Sequence, residues 1–308
     1  MGLNALTITL AALVLLIILW FLRRPMSKRQ RRLAPGQFAT VEDGVIHYQW
    51  HGPADGPILV LVHGLTTPSF VWRAMLPGLT KAGFRVLTFD HFGRGYSDRP
   101  FQRYDLAFYA RTLDGLFANL RIEGPVHMLG YSMGGGIVAQ YAAIRRDRVD
   151  HAILLASVGF SDKEPVFVAR WPIIGDVLMF LFGPSRIRAD ARKSAELEKT
   201  DAEYLRLQIR ETRFAGYTGA VLSSLRHAIY MDQTKAHEQL RDLSVPLLAI
   251  FARDDDLIGD RAWMRIREIN SHAELNVIEG AGHAVAMTHA DEVVSSVLAF
   301  LPPARPLK

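Results

Sequence analysis

Gly130-Tyr131-Ser132-Met133-Gly134 lies between an apolar run, Val126-His-Met-Leu129, and a helix-forming stretch, Ile137 to Ile144. That context is strand, sharp turn, helix, and it lifts a serine hydroxyl to the N-terminus of a helix while the small neighbours let strand and helix approach closely. A serine hydroxyl is a weak nucleophile and needs a base to take its proton. Eleven histidines are available. Most fall within expected strands, helices or the hairpin, whereas His283, in Glu279-Gly-Ala-Gly-His283, follows the last strand on a glycine-rich loop from which it can reach Ser132. A carboxylate should orient the imidazole and stabilise its protonated form. Asp254, Asp255 and Asp256 all follow the strand Pro246 to Phe251, and spacing alone leaves the choice among them open. With no cysteine in the chain, a thiol nucleophile, disulfides and thiolate zinc sites are excluded.

The elements that must position these residues alternate along the chain. Phe38 to Gln49 reads as a hairpin turning at Asp43-Gly44. Ile58 to Val62 is a continuous apolar strand suited to burial on both faces, and residues 69–82 read as a helix ending at Gly83. Strand patterns recur at Arg85 to Asp90, Val126 to Leu129, Ala152 to Ala156, Pro246 to Phe251 and Leu275 to Ile278. The expected fold is α/β: a mostly parallel central sheet with helices on both faces. Residues 157–243 are too long for one crossover, so a helical cap inserted over the sheet is expected there, with Ala191 to Glu211 among its helices. The core then comprises 38–156 and 244–301.

Mean hydropathy of +0.10 with 49% hydrophobic and 22% charged residues places the chain among folded proteins. Its net charge of +5 is local: residues 1–32 hold six Lys/Arg and no acid, leaving 30 basic and 31 acidic side chains in the remainder. A basic stripe for nucleic acid is therefore not expected on the body. Leu3 to Leu22 is an uncharged run of twenty residues, the length that crosses a hydrocarbon core, ending in Trp20-Phe21 and followed by Arg23, Arg24, Lys28, Arg29, Arg31 and Arg32. No basic residue precedes it and no small-x-small cleavage site follows it, so residues 3–22 are expected to be a retained transmembrane helix and 23–37 a basic juxtamembrane linker. The positive-inside rule then places the body on the cytoplasmic side.

These segments together resemble the α/β-hydrolase superfamily, from about Phe38 to Leu301. His63-Gly64 is similar to the family's oxyanion loop, Asp90-His-Phe-Gly93-Arg-Gly95-Tyr-Ser97 to its D-x-x-G-x-G-x-S turn, and Gly130 to Gly134 to its nucleophile elbow. The resemblance implies that Asp255, in Ala252-Arg-Asp-Asp255-Asp-Leu-Ile258, is the acid, although alanine and Asp256 stand where the family has glycine and proline. It implies an oxyanion hole of the backbone N–H groups of Leu65 and Met133, with His63 bracing its loop. Serine instead of aspartate at the elbow argues against dehalogenase and epoxide hydrolase chemistry.

The reaction implied is hydrolysis of carboxylic esters through an acyl-enzyme, with no metal or organic cofactor. The same triad serves C–C bond hydrolases, thioesterases and perhydrolases, and a non-catalytic lipid- or partner-binding module is the reading from another class. Val166 to Phe182 holds thirteen apolar residues in seventeen, interrupted by Arg170, Pro172, Gly175 and Asp176. It reads either as a buried cap helix or as a membrane-facing lid, and both imply a greasy pocket roof for a lipophilic or acylglycerol-type ester.

Overall fold

The computed structural model describes residues 4, 7–14, 26–160 and 165–304. Its centre is an eight-stranded sheet in the order β1-β2-β4-β3-β5-β6-β7-β8. β1 (Gln37–Val41) and β2 (Gly44–His51) form the expected antiparallel hairpin, and β2 also pairs antiparallel with β4 (Arg85–Phe89). From β4 onward every pairing is parallel, through β3 (Ile58–Val62), β5 (Val126–Tyr131), β6 (Val149–Leu155), β7 (Leu247–Ala252) and β8 (Glu274–Ile278). The chain runs outward from β3 to β4 and returns to the far side of β3 as β5. This reversal opens a crevice beyond the carboxyl ends of β3 and β5, where ligands of open α/β sheets bind.

The continuous apolar strands divide by alternation between two cores. Val60, Val62, Met128, Leu154 and Phe251 face one side and pack with the helices Leu106–Asn119, Met133–Ile144, Thr234–Asp242 and Asp260–Ile269. Leu59, Leu61, Leu129, Ile153 and Ile250 face the other, with the segment 69–81 and the helix Ala290–Phe300. Burial on both faces explains why these strands lack a polar side. The helix expected over 69–82 is instead two pieces, a 3-10 turn at Ser69–Trp72 and an α-helix at Leu76–Lys81. Pro77 has no N–H to continue the first piece and is tolerated only in the opening turn of the second.

Between β6 and β7 the chain forms the helices Phe167–Arg170, Ile174–Leu181, Gly183–Glu198, Ala202–Glu211 and Tyr217–Ser224, then a π-helical turn, Leu225–Ile229. Met179, Tyr217, Val221 and Leu222 give this segment a small core of its own. The stretch Ala191 to Glu211 is not one helix: Lys199 takes a left-handed conformation (φ 52°), and Asp201 caps a new helix by accepting from Glu203 N–H. The last helix of the interval, Thr234–Asp242, lies in the layer flanking the sheet, with Ala236 and Leu240 in the same core as Val60.

Of the apolar run Leu3 to Leu22, residue 4 and residues 7–14 are described, the latter as helix with exposed side chains. The rest of the expected span lies outside the described residues, and among those described no helix is long and apolar enough to cross a membrane. Part of the basic segment is attached to the body. Ser27 caps a single turn, Lys28–Arg31, and the Arg31 guanidinium pairs with Asp98 at 2.5 Å and donates to Tyr96 O.

Candidate active site

Ser132 ends β5 and begins the helix Met133–Ile144 with φ 55° and ψ −116°, a region that costs a non-glycine residue about 1–3 kcal/mol. Its neighbours hold it there: its N–H donates to Leu155 O (2.9 Å) and its C=O accepts from Val158 N–H (3.2 Å). Both flanking glycines are required by close approach. A Cβ on Gly130 would lie 2.1 Å from Gly134 O, and one on Gly134 would lie 1.9 Å from Val62 O. The strain and the glycines together turn the hydroxyl into the crevice.

His283 meets it from the loop after β8. Its Nε2 is 3.0 Å from Ser132 Oγ and its Nδ1 is 2.7 Å from Asp255 Oδ2. An ionised carboxylate can only accept, so Nδ1 carries the proton and the Nε2 lone pair faces the serine O–H. Burial would push the Asp255 carboxyl up. Its hydrogen bond to His283, the electrostatic pull of that ring's N–H and the amide donors of Ile258 and Leu257 outweigh burial and hold it below its ordinary value. Asp254 and Asp256 point their side chains outward, and the Asp254 N–H ties its loop to Ala281 O at 2.8 Å. Of the three adjacent carboxylates, the structure brings Asp255 to the histidine.

Leu65 follows the carboxyl end of β3 across the crevice, where a Cβ on Gly64 would lie 3.4 Å from Ser132 Cβ. The backbone N–H groups of Leu65 and Met133 have no acceptor among the described residues. Behind them His91 N–H donates to His63 Nε2 (2.8 Å), which leaves the ring's single N–H on Nδ1, where it donates to Gly64 O at 2.8 Å. Burial pushes His63 down to about 4, so the ring is neutral and braces the loop. Asp90 completes the support through Ser69, Tyr96 N–H and His47.

Three supports carried no signal as site residues in the sequence. Tyr131, inside the elbow, donates its hydroxyl to His283 O (2.7 Å). Arg94, fully buried between the two glycines of its turn, donates to Leu65 O (3.1 Å) and to Ser224 Oγ (2.8 Å). Glu198, at the end of a cap helix, accepts from Ala284 N–H (2.5 Å) and from Ser194 Oγ (2.9 Å). The first two lie within or beside recognisable motifs. Glu198 is contributed by a remote helix, and no local pattern could have pointed to it.

A cavity of about 490 Å³ stands over Ser132 and His283. Val158, Phe160, Leu225, Ile229, Leu257 and Met287 line much of it. Its roof is apolar at Leu225 and Ile229, but the segment 166–182 expected to supply it contributes only Val166. The helix Gly183–Glu198 brings Ile187, Ala191 and Glu198 to the cavity, with Asp190 and Ser194 at its exposed rim, whereas Phe167, Trp171, Ile173, Ile174, Val177 and Phe182 are exposed on the outside. The buried-helix reading of 166–182 therefore fails for most of its large side chains.

Residues 57–290 match the family model described as alpha/beta hydrolase fold. The chain belongs to that family. Among curated relatives, this alpha/beta hydrolase is similar to a bifunctional esterase/perhydrolase from Acinetobacter calcoaceticus, 27% identical over 274 residues that cover 86% of this chain and 99% of the relative. It is also 26% identical to a pimeloyl-[acyl-carrier protein] methyl ester esterase from Aeromonas hydrophila, over 80% of this chain and 96% of that one. Among solved structures, a bromoperoxidase from Bacillus anthracis superposes with a TM-score of 0.75 at 21% identity, covering 86% of this chain and 99% of that one, and so shares the fold.

Proposed function

We propose that the protein is a serine hydrolase cleaving carboxylic esters. The observation that carries this reading is the continuous relay from Asp255 through His283 to Ser132 Oγ, with the backbone N–H groups of Leu65 and Met133 left without an acceptor among the described residues. In the proposed reaction Ser132 Oγ attacks the ester carbonyl as its proton passes to His283 Nε2. Negative charge develops on the carbonyl oxygen, where the Leu65 and Met133 N–H groups stabilise it. Collapse expels the alkoxide, which takes the proton from His283, and leaves an acyl-serine. Water then attacks the acyl-serine with His283 again as base, releasing the acid and restoring the hydroxyl. A binding-only module would not need this relay.

Ser132→Ala should abolish labelling by a fluorophosphonate and lower kcat for a p-nitrophenyl ester by more than about 10⁴-fold with the fold intact. Near-normal turnover would refute the mechanism. Perhydrolysis is a second reading, supported by the name of the Acinetobacter relative: hydrogen peroxide would replace water in the second step and release a peracid. Competition between the two nucleophiles for one acyl-enzyme distinguishes it.

For the substrate we favour a lipophilic ester of the acylglycerol type. The apolar wall at Phe160, Leu225 and Met287 suits an acyl chain, and the Ser194 hydroxyl and Asp190 carboxylate at the cavity's rim suit a hydroxylated leaving group. In the same reading, residues 3–22 anchor the chain in a membrane with the body on its cytoplasmic side, and the exposed apolar face of 166–182 lies toward the bilayer. Because Arg31 is tied to the body, a fair test removes residues 1–26 and not the whole basic segment. That form should hydrolyse short soluble esters as the full chain does and lose severalfold in rate on long-chain ester presented in vesicles. Equal vesicle rates would separate the anchor from substrate supply.

A further inference from the structure

At the amino-terminal ends of β5 and β6, on the opposite edge of the sheet from Ser132, the strand register slips. Val126 pairs with Val149 and Met128 with Ala152, so His127 alone faces the two residues Asp150 and His151. Such a bulge turns consecutive side chains of one strand toward the same neighbour, which regular pleating would forbid. Here it brings both imidazoles to one carboxylate. Asp150 Oδ2 is 3.4 Å from His127 Nδ1 and 3.2 Å from His151 Nδ1, and the three donor atoms all lie within 4.8 Å of one another.

Neither Nδ1 atom has a hydrogen-bond partner among the described residues, although both are buried. His127 is only 6% exposed. The rings also meet edge-on, with centroids 5.0 Å apart, and each touches a phenylalanine, Phe84 or Phe300. Aromatic packing accounts for the rings' places but not for two Nδ1 atoms aimed at one carboxylate. At 3.2 and 3.4 Å the separations lie at or just beyond the long end of an N–H···O bond and match the edge of a coordination tetrahedron, about 3.3 Å for ligands at 2.0–2.1 Å from a metal.

We propose that His127, Asp150 and His151 form a binding site for a divalent cation of the zinc class. Two imidazoles with one carboxylate favour zinc over magnesium or calcium, which prefer all-oxygen shells. The Asp150 side chain is about half exposed (47%), which gives a path for the ion and room for water at a fourth position. A bound ion joins β5 to β6 where their regular register is interrupted. The site lies at the other end of β5 from the elbow, so its effect is on the stability of the central strands and not on the reaction.

The test uses the full chain without a polyhistidine tag, in detergent and stripped by chelator. Titration with Zn²⁺ alone should show one ion per chain and raise Tm, since an ion that binds the folded state stabilises it by mass action. Mg²⁺ should do neither. Asp150→Asn and His151→Ala should each weaken Zn²⁺ binding at least about tenfold and remove the Tm rise, with p-nitrophenyl ester hydrolysis unchanged. Asp150→Asn alters a half-exposed side chain and keeps the test usable if the histidine variant folds poorly. Absence of stoichiometric binding, or equal binding by wild type and both variants, would overturn the proposal.

Discussion

Ser132 and Leu65 stand on backbone fixed inside the sheet, whereas Asp190, Ser194 and Glu198 hang from a helix packed over it. The first pair is positioned by close contacts in which a single added carbon at Gly130 or Gly134 would collide with main chain. The second group is positioned by a helical period and a few hydrogen bonds, with most of that helix's other side chains in solvent. The contrast separates two kinds of specification. The proposed reacting atoms are held by tight main-chain geometry, and the cavity roof is held by contacts that can be exchanged one at a time.

The largest effect that would break this comparison belongs to the floor. Asp255→Asn should lower kcat by about 10³–10⁴-fold, because the amide favours the wrong imidazole tautomer and cannot stabilise the imidazolium. Asp254→Asn and Asp256→Asn should stay close to wild type in the same assay. A crippling Asp256 variant would show that the relay runs through a different carboxylate from the one at 2.7 Å.

Glu198 is where roof and floor touch, and we expect a positioning role of intermediate size. Glu198→Ala leaves Ala284 N–H without its acceptor beside His283 and should reduce kcat about tenfold, the scale of one hydrogen bond to a charged group, with little change in KM. Glu198→Gln retains an acceptor and should recover most of that loss. A change confined to KM would assign Glu198 to substrate contact instead.

A third effect sharpens the comparison through stability instead of rate. Burial pushes Glu211 up to about 7, against the opposing pull of Arg99 and the Gly95 N–H that donates to it. Its folded value exceeds its unfolded one, so the folded state holds the extra proton, and stability falls as pH rises from about 4.5 through 7. Glu211→Gln cannot ionise. In urea unfolding the variant should gain on wild type across that window by an amount on the order of 1–3 kcal/mol, and a pH-independent difference would show that Glu211 is ionised throughout.

What the sequence discloses follows the same division. Alternation and apolar runs locate all eight strands, because residues buried on both faces of a parallel sheet have little freedom of type. Ser132 and His283 are legible from turn chemistry at strand ends. Asp255 needed the family's spacing, since three consecutive carboxylates offer no local distinction. The roof was less legible. Val166 to Phe182 is apolar in composition yet mostly faces outward, while the cavity face of Gly183–Glu198 is distributed through a polar helix. The break at Lys199 also escaped, because neither glycine nor proline marks it. The bulge opposite His127 depends on pairing between strands, which one chain segment cannot express.

Arg94 bears on how this protein could be rebuilt. Its guanidinium lies wholly inside the molecule and divides its donors between the floor, at Leu65 O, and the roof, at Ser224 Oγ. A chimaera that grafted another relative's cap onto this sheet would remove Ser224 and leave a cation facing a foreign surface. The penalty would exceed the roughly 1–3 kcal/mol of a neutral group deprived of its partner, and it would fall on the loop carrying the Leu65 N–H. Grafts designed around residues 166–229 should therefore carry a hydroxyl to that position, or replace Arg94 in the same step.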